Sequence, residues 1–365
     1  MFSKIASASL IGLSCLSLVS AAPFSFTNNP LGNGFPHPTP TQVTQIEQLA
    51  HGSLPNGAPP AIPPKPDSFL SLRLIAFNEL FEVAFFTSLL ANVTNGIDGY
   101  NIDHDERKKY VIDSLTAILA QEELHALNAN DALAHFNEGP IQPCQYTFPV
   151  ATVEDAIALA STFTDVVLGT LQDVVTGFGT DGDVGLIGGV ASVIGQEGEQ
   201  NGFYRRLLNK LPSALPFLTA STREFAFSAL NQNFVVKGSC PNFNTIALPV
   251  FDPLTIVTKN IEAKSQDLTF SIEIPASGPK PEWKSDYSGL SFFYINQQNT
   301  PVNEPIKSFK VEGTTVTLTA AFPFDAATFG NGLTIAALAT QPANLTAEGI
   351  AQSHTVFGPG LIEIN

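Results

Sequence analysis

The chain has 365 residues, which is enough for more than one domain with its own buried core. Its 33 acidic residues outnumber its 17 basic ones, so the formal net charge is −16. This excess of negative charge argues against nucleic acid as a partner, because nothing offsets the repulsion between carboxylates and phosphates. Anionic membrane surfaces are disfavoured as partners for the same reason.

Residues 1–21 have the pattern of a secretory signal peptide. Lys4 supplies a positive start, Leu10 to Val19 form a short apolar centre, and Ala21 ends a small-residue cleavage pattern. A membrane anchor is the less favoured alternative, because the apolar run is shorter than the ~20 residues that a span needs. We therefore expect a secreted, extracellular or cell-wall protein without a membrane span.

If the protein is secreted, two of its cysteines can form a disulfide and two of its asparagines can be glycosylated. Cys144 and Cys240 remain after the signal peptide is removed, and an oxidising compartment favours a disulfide between them. Asn92 and Asn344 each begin an Asn-x-Thr acceptor pattern, so both are predicted glycosylation sites.

The segment after the signal peptide divides into a leader and a helical domain. Residues 22–66 are rich in Pro, Gly and Asn, which predicts an extended leader with one short helix near Gln42–His51. Residues 67–249 contain long segments whose apolar residues recur at three- and four-residue steps, as in amphipathic helices. These segments are Asp67–Ala91, His104–Phe136, one opened by Thr152–Asp155 and one beginning near Asp183, with a shorter fifth helix at Ser221–Asn231. Short links within each pair of long helices predict an antiparallel four-helix bundle.

Residues 250–365 change to a period of two. Segments such as "LTFSIEI" and "TVTLTA" alternate apolar and polar residues, and Pro, Gly and Asn clusters separate them. This pattern predicts a β-rich domain of sandwich type. The predicted fold class is therefore α+β, with a helical bundle followed by a β-sandwich-like domain.

Polar residues interrupt the apolar stripes near the midpoints of the four long helices. In chain order they are Glu79, Glu82, Glu122, His125, Thr164, Glu197, Gln200 and Tyr204. Midpoints of helices of similar length meet at one level in a bundle, so these side chains are expected to converge. Buried carboxylates that face one another need protons or a cation to neutralise them. Imidazole and carboxylate together suit iron, manganese or zinc.

The segments "AFNELFEVAFF", "AQEELHALN" and "GQEGEQNGFYRRLL" resemble helices of the ferritin-like superfamily. They resemble in particular the secreted fungal ferritin-like proteins that include the late sexual development protein. The resemblance covers about residues 67–235, and it implies a ferritin-like bundle and a role in sexual development or stress. The family pattern has Glu on the first and third helices and Glu-x-x-His on the second and fourth.

The family's ligand pattern is only partly present in this chain. Thr164 stands where the third-helix Glu is expected, Gln200 stands where the fourth-helix His is expected, and Asp165 is expected on the polar side of its helix. The resemblance therefore implies at most one iron, manganese or zinc ion, and two-iron oxidase chemistry is not expected. No catalytic residue is assigned. The implied ligands are Glu79, Glu122, His125 and Glu197, with Glu82, Gln200, Thr164 and Tyr204 as possible additions.

The sequence leaves a second interpretation open. The same side chains can form a vestigial polar core that is satisfied by hydrogen bonds, with some of the carboxyls protonated and no ion bound. The protein would then be a non-catalytic extracellular or cell-wall structural protein, and its β-rich domain would bind a cell-wall or glycan partner.

Overall fold

The computed structural model describes residues 22–28, 31–58, 60–354 and 356–365, so the predicted signal peptide lies outside the described residues. Four long helices pair through short links, α2 with α3 and α4 with α5. They form the predicted four-helix bundle, which a shorter helix, α6, joins at one side. The helices are α1 Pro40–Ala50, α2 Pro66–Asn95, α3 Asp105–His135, α4 Val153–Asp181, α5 Ile187–Leu207, α6 Arg223–Asn233 and the short α7 Ala347–Ala351.

Local capping determines where several of these helices begin and end. The hydroxyl of Thr152 accepts a hydrogen bond from the backbone N–H of Asp155 and so starts α4 at the predicted place. A capping box between Thr39 and Gln42 starts α1, slightly earlier than the sequence predicted. Gly182 ends α4 in the left-handed conformation, with φ at 83°.

Helix α2 is the central helix of the molecule. It contacts α3, α4 and α6, so Phe77, Phe81 and Phe85 are buried in addition to the residues of the predicted stripe. By length and composition α2 could cross a membrane, contrary to the expectation of a protein without a membrane span. However, 78% of its most apolar stretch is buried inside the protein. The core that surrounds α2 accounts for its apolar composition.

The leader packs on the bundle through a few buried apolar side chains. Phe26, Phe35 and Ile46 are buried, and α1 lies against α3. The backbone of Phe24 pairs with that of Tyr146 in the connection between α3 and α4. The leader is ordered because its few large apolar side chains remove apolar surface from water when they join the core.

The disulfide predicted from the cysteine count is present. Cys144 lies in the connection between α3 and α4, and Cys240 follows α6 at a sequence separation of 96 residues. The bond holds the long connection between the two helix pairs against the segment that leads to the β domain.

The two glycosylation sites stay predictions, and their surroundings differ. Asn344 is exposed in the loop before α7. Asn92 is half-buried in the last turn of α2, where its backbone carbonyl accepts from the backbone N–H of Ile97. Asn344 therefore offers the more accessible side chain of the two.

The C-terminal region contains two four-stranded antiparallel sheets, which confirms the α+β fold class. One sheet has the order β1-β2-β6-β5 and the other has the order β4-β3-β7-β8. Phe270 of the first sheet and Phe292 of the second meet in the core between them, with ring centroids 4.5 Å apart. The strands are β1 Thr255–Ile256, β2 Gln266–Glu273, β3 Ser291–Asn296, β4 Val302–Pro305, β5 Ser308–Glu312, β6 Thr315–Phe322, β7 Gly332–Ala339 and β8 Val356–Ile364.

The sheet that contains β7 is covered on both faces. Leu338 of β7 faces the core of the sandwich, whereas Ile335 packs with Val166 of α4 and Phe225 of α6. All 8 residues of β7 are buried, which explains why its sequence is apolar apart from Thr334. The molecule therefore has three layers, namely the helical bundle, this sheet and the second sheet.

Candidate metal centre

Three helices bring together the four side chains that the sequence analysis proposed as ligands. Glu79 comes from α2, Glu122 and His125 from adjacent turns of α3, and Glu197 from α5. One potential ligand atom from each residue lies within 4.8 Å of the others. Nδ1 of His125 is 2.9 Å from Oε2 of Glu122, 3.6 Å from Oε2 of Glu79 and 3.9 Å from Oε1 of Glu197.

Glu197 is the least satisfied member of this group. Its exposed fraction is 0%, and neither carboxylate oxygen accepts a hydrogen bond from any residue in the described part of the chain. Its closest positive partner is the imidazole of His125. A buried carboxylate without hydrogen-bond donors is strongly disfavoured unless a proton or a cation neutralises it.

Glu122 has the opposite environment. Its Oε1 accepts from Nε2 of Gln200 at 2.6 Å, and its Oε2 lies 2.9 Å from Nδ1 of His125. Burial acts to raise the pKa of Glu122, but the charge and hydrogen bond of His125 hold it below its ordinary value. Burial acts to lower the pKa of His125, but the Glu122 carboxylate holds it well above its ordinary value. Glu122 and His125 therefore form a buried ion pair.

The other carboxyls are less well compensated, although His125 also acts to lower the pKa of Glu79. Burial raises the pKa of Glu79 to about 7. Burial also raises the pKa of Glu82 and of Glu197 well above the usual range, and the neighbouring carboxylates raise both further. A single imidazolium cannot neutralise four buried carboxylates, so the others must hold protons or share a cation.

Glu82 and Thr164, two of the possible additional ligands, border the group. Oε1 of Glu82 accepts from Nδ2 of Asn78 at 2.8 Å, whereas its Oε2 has no donor among the described residues. The hydroxyl of Thr164 is buried and is likewise without a hydrogen-bond partner in the described ranges. Glu82 adds a further acidic oxygen to this region, whereas Thr164 adds only a neutral hydroxyl.

Gln200 and Tyr204 support the group from α5. Gln200 directs its N–H toward Glu122, and its Oε1 accepts from the hydroxyl of Tyr204 at 3.2 Å. The ring of Tyr204 stacks on Phe86 of α2 at 5.8 Å between centroids. In this arrangement Gln200 is a donor that orients Glu122, with its own carbonyl oxygen turned to Tyr204.

Asp165 does not lie on a polar face, so that prediction was wrong. Its side chain is buried, and Oδ1 accepts from Nδ2 of Asn201 at 2.9 Å. The charge of Arg205 and the side chain of Glu363 in β8 also act on Asp165, which makes this a second buried cluster of charged residues at the interface between the domains. The sequence analysis missed it because Glu363 belongs to the other domain. The available signal was the spacing of Asn201 and Arg205, four residues apart on one face of α5.

The donor set fits a metal ion. Three carboxylates and one imidazole are ligands that iron, manganese and zinc all accept. Glu197 supplies two oxygens that no donor in the described part of the protein occupies, and Glu79 supplies one. An ion between the four residues would neutralise the carboxyls that His125 leaves unpaired.

The comparison with known families agrees with this architecture. The ferritin-like domain family matches the chain over residues 74–210, a range that contains all four residues of the candidate centre. No curated protein matches the chain. The molecule therefore combines a ferritin-like domain with a C-terminal region of two antiparallel sheets.

Proposed function

We propose that the ferritin-like domain binds one metal ion between Glu79, Glu122, His125 and Glu197. The observation that carries the proposal is the complete burial of Glu197 without a hydrogen-bond donor among the described residues. The ion would replace protons that otherwise neutralise these carboxyls, because metal ligands bind in their deprotonated form.

A single ion is favoured by the two positions that depart from the family pattern. Gln200 donates its N–H to Glu122. On α4, the third helix of the bundle, the residue at the expected ligand position is Thr164, which has only a hydroxyl. Neither residue replaces the carboxylate or the imidazole that a second ion would require. Iron, manganese and zinc are the candidates for the one ion, since the ligand set suits each of them.

The roles of the protein's own residues follow from their contacts. Gln200 holds one oxygen of Glu122, and Tyr204 holds Gln200. Nδ1 of His125 lies 2.9 Å from Glu122, and the imidazole would hold an ion through a deprotonated ring nitrogen. When an ion is bound, it supplies positive charge and Lewis acidity to the site. No catalytic role is assigned to any residue.

The wider setting of this function comes from the resemblance in sequence. We propose that the protein is secreted, that it is glycosylated at Asn92 and Asn344, and that it acts in fungal sexual development or stress. The signal-like residues 1–21 and the disulfide between Cys144 and Cys240 support secretion.

A second candidate function rests on the hydrogen bonds already present. Glu122 is satisfied by His125 and Gln200, and Gln200 by Tyr204, as a vestigial polar core would require. The protein would then be a structural protein outside the cell, with the β domain binding a cell-wall glycan. This alternative explains Glu122 better than it explains Glu197, whose two oxygens have no donor in the described residues.

Metal analysis of the purified chain tests the two candidates. The protein is stripped with a chelator, dialysed against iron(II), manganese(II) or zinc(II), and its metal content is measured by mass spectrometry. We expect the wild type to retain about one equivalent of at least one ion and Glu197→Gln to retain none. Glu199→Gln is the matched control, because Glu199 is exposed on the same helix.

A second pair of variants tests the imidazole. His125→Asn should lose the ion, whereas His135→Asn, at an exposed position on the same helix, should keep it. Retention of no ion by the folded wild type would refute the metal proposal and leave the structural candidate. Equal retention by Glu197→Gln and the wild type would refute the assignment of this site.

A further inference from the structure

A cavity of about 280 Å³ lies where the helical bundle meets the β domain. Helices α4 and α6 form one side of it, and strands β1 and β8 form the other. Its apolar lining includes Phe163 and Leu230 from the bundle and Ile256 and Ile362 from the sheets. Both domains contribute walls, so the cavity exists only in the assembled molecule.

Three amide side chains of the lining already donate hydrogen bonds within the protein, whereas Oε1 of Glu363 is buried without a donor among the described residues. Nε2 of Gln232 donates to two backbone carbonyls, and Nδ2 of Asn233 donates to a third. Nδ2 of Asn78 donates to Glu82. These amides therefore have few N–H groups left to bind an anion, and the apolar surface dominates what a ligand would contact.

The charge around the cavity also excludes an anion. Neither Lys nor Arg is among the lining residues that the structure describes, whereas Glu363 is. Burial and the neighbouring Asp165 raise the pKa of Glu363 well above the usual range, so a neutral carboxyl forms this part of the wall. Arg205, one of the nearby basic groups, donates to the backbone carbonyl oxygens of Leu211 and Asn365. A carboxylate or sulfonate in the cavity would therefore lose its hydration without a Lys or Arg in the described lining to pair with.

The volume limits the size of the ligand. An apolar cavity of about 150 Å³ accommodates benzene, so a cavity of about 280 Å³ accommodates a molecule of roughly 11 non-hydrogen atoms, the size of two fused rings. We propose that the interdomain cavity binds a small, neutral, largely apolar molecule of two-ring size. The ligand contacts both domains and stabilises the folded protein by mass action. The site does not include the candidate metal ligands, so the proposal is independent of the proposed function.

A pair of probes that share their rings tests the neutrality of the site. 1-Naphthylamine is neutral at pH 7 and has two fused rings, and 5-amino-1-naphthalenesulfonate adds one negative group to the same skeleton. We expect saturable fluorescence enhancement with one molecule of the neutral probe per chain and at least tenfold weaker binding of the sulfonate. Chelated and metal-treated protein should behave alike, which separates this result from the metal proposal.

Variants that fill the cavity locate the bound probe. Ala158→Leu in α4 and Ala229→Leu in α6 place extra volume in the lining from two different helices. Each should weaken binding of the neutral probe at least tenfold, with folding checked by circular dichroism. Ala117→Leu, at a half-buried α3 position outside the lining, is the control and should bind like the wild type.

Two results would overturn the proposal. One is equal affinity of the wild type for the neutral and the anionic probe, which would indicate general apolar surface. The other is unchanged binding of the neutral probe by a folded cavity-filling variant. The comparison of the two probes on the wild type stands even if a substituted protein fails to fold.

Discussion

The helical bundle and the domain interface each bury a cluster of charged side chains, but the charges are matched differently. In the bundle cluster, four carboxyls face one imidazole. In the interface cluster, the two carboxyls have two basic residues nearby, and an amide donates to one of them. The bundle cluster comprises Glu79, Glu82, Glu122, His125 and Glu197, and the interface cluster comprises Asp165, Asn201, Arg205, Lys210 and Glu363.

The difference separates a structural cluster from a candidate binding site. The interface cluster contains as many basic residues as carboxyls, although one oxygen each of Asp165 and Glu363 has no donor among the described residues. The bundle cluster has more buried acid than base, and Glu197 has no donor among the described residues. Helix α5 contributes to both clusters, with Glu197 about two turns before Arg205. Substitutions along this one helix should therefore have opposite effects on stability.

The largest change in stability is expected when Arg205, a cation of the interface cluster, is replaced. Arg205 is 2% exposed, and its Nε donates to the carbonyl of Leu211 at 2.8 Å. Arg205→Met leaves Asp165 buried without that charge and should lower the free energy of unfolding by about 3 to 5 kcal/mol. Urea denaturation measures the change, with Arg206→Met at the exposed neighbouring position as the control. Equal stability of the two variants would show that the interface cluster does not depend on Arg205.

The next effect is the pH dependence of the metal-free protein. The pKa of Glu79 rises from 4.5 to about 7 on folding, so the folded state binds this proton more tightly than the unfolded state does. The resulting stabilisation is complete below pH 4.5 and is lost as the pH rises through about 7. We expect the free energy of unfolding of chelated protein, measured by urea denaturation, to be lower at pH 8 than at pH 5, by on the order of 3 kcal/mol for Glu79 alone.

Adding the metal should reduce this pH dependence. An ion competes with the protons on the ligands, so its affinity and the stabilisation that it brings increase with pH. The measurement is the same urea series with saturating ion. A chelated protein that is more stable at pH 8 than at pH 5 would contradict the assignment of buried protons to the bundle cluster.

Substitution of Glu197 should change stability less than Arg205→Met does and in the opposite direction. In metal-free protein at pH 8, Glu197→Gln should raise the free energy of unfolding by about 1 to 3 kcal/mol, because a buried acid without donors is removed. Glu122→Gln is the contrasting variant and should destabilise, since it weakens the pairing with His125. Thermal unfolding distinguishes the two, and destabilisation by both would place Glu197 in a satisfied network.

The smallest effect is expected in the glycine-rich part of α5 that flanks Glu197. A Cβ added at Gly195 or Gly198 meets no described atom within 4 Å. Each Gly→Ala substitution should therefore stabilise the helix by about 0.5 to 1 kcal/mol. Gly169→Ala in α4 is the control, because its Cβ would lie 2.2 Å from the carbonyl oxygen of Thr219. If local opening of α5 admits the ion, the stabilised variants should also take it up more slowly in stopped-flow measurements.

The sequence by itself determined the features that depend on local periodicity. Helical spacing placed Glu79, Glu122, His125 and Glu197 on inward faces, and similar helix lengths brought them to one level. Alternation in the C-terminal region predicted strands, and the ferritin-like match at residues 74–210 agrees with the bundle. These features were predictable because each depends on side-chain direction within a single element or on the packing of neighbouring helices.

Only the tertiary structure decided which elements meet across the two domains. Asp165 is buried because α4 faces β8, and its neighbour Glu363 lies near the end of the chain. The folded leader and the interdomain cavity also arise from contacts between distant segments. No local pattern specifies such contacts, because they depend on how whole elements pack after their own periodicity is satisfied.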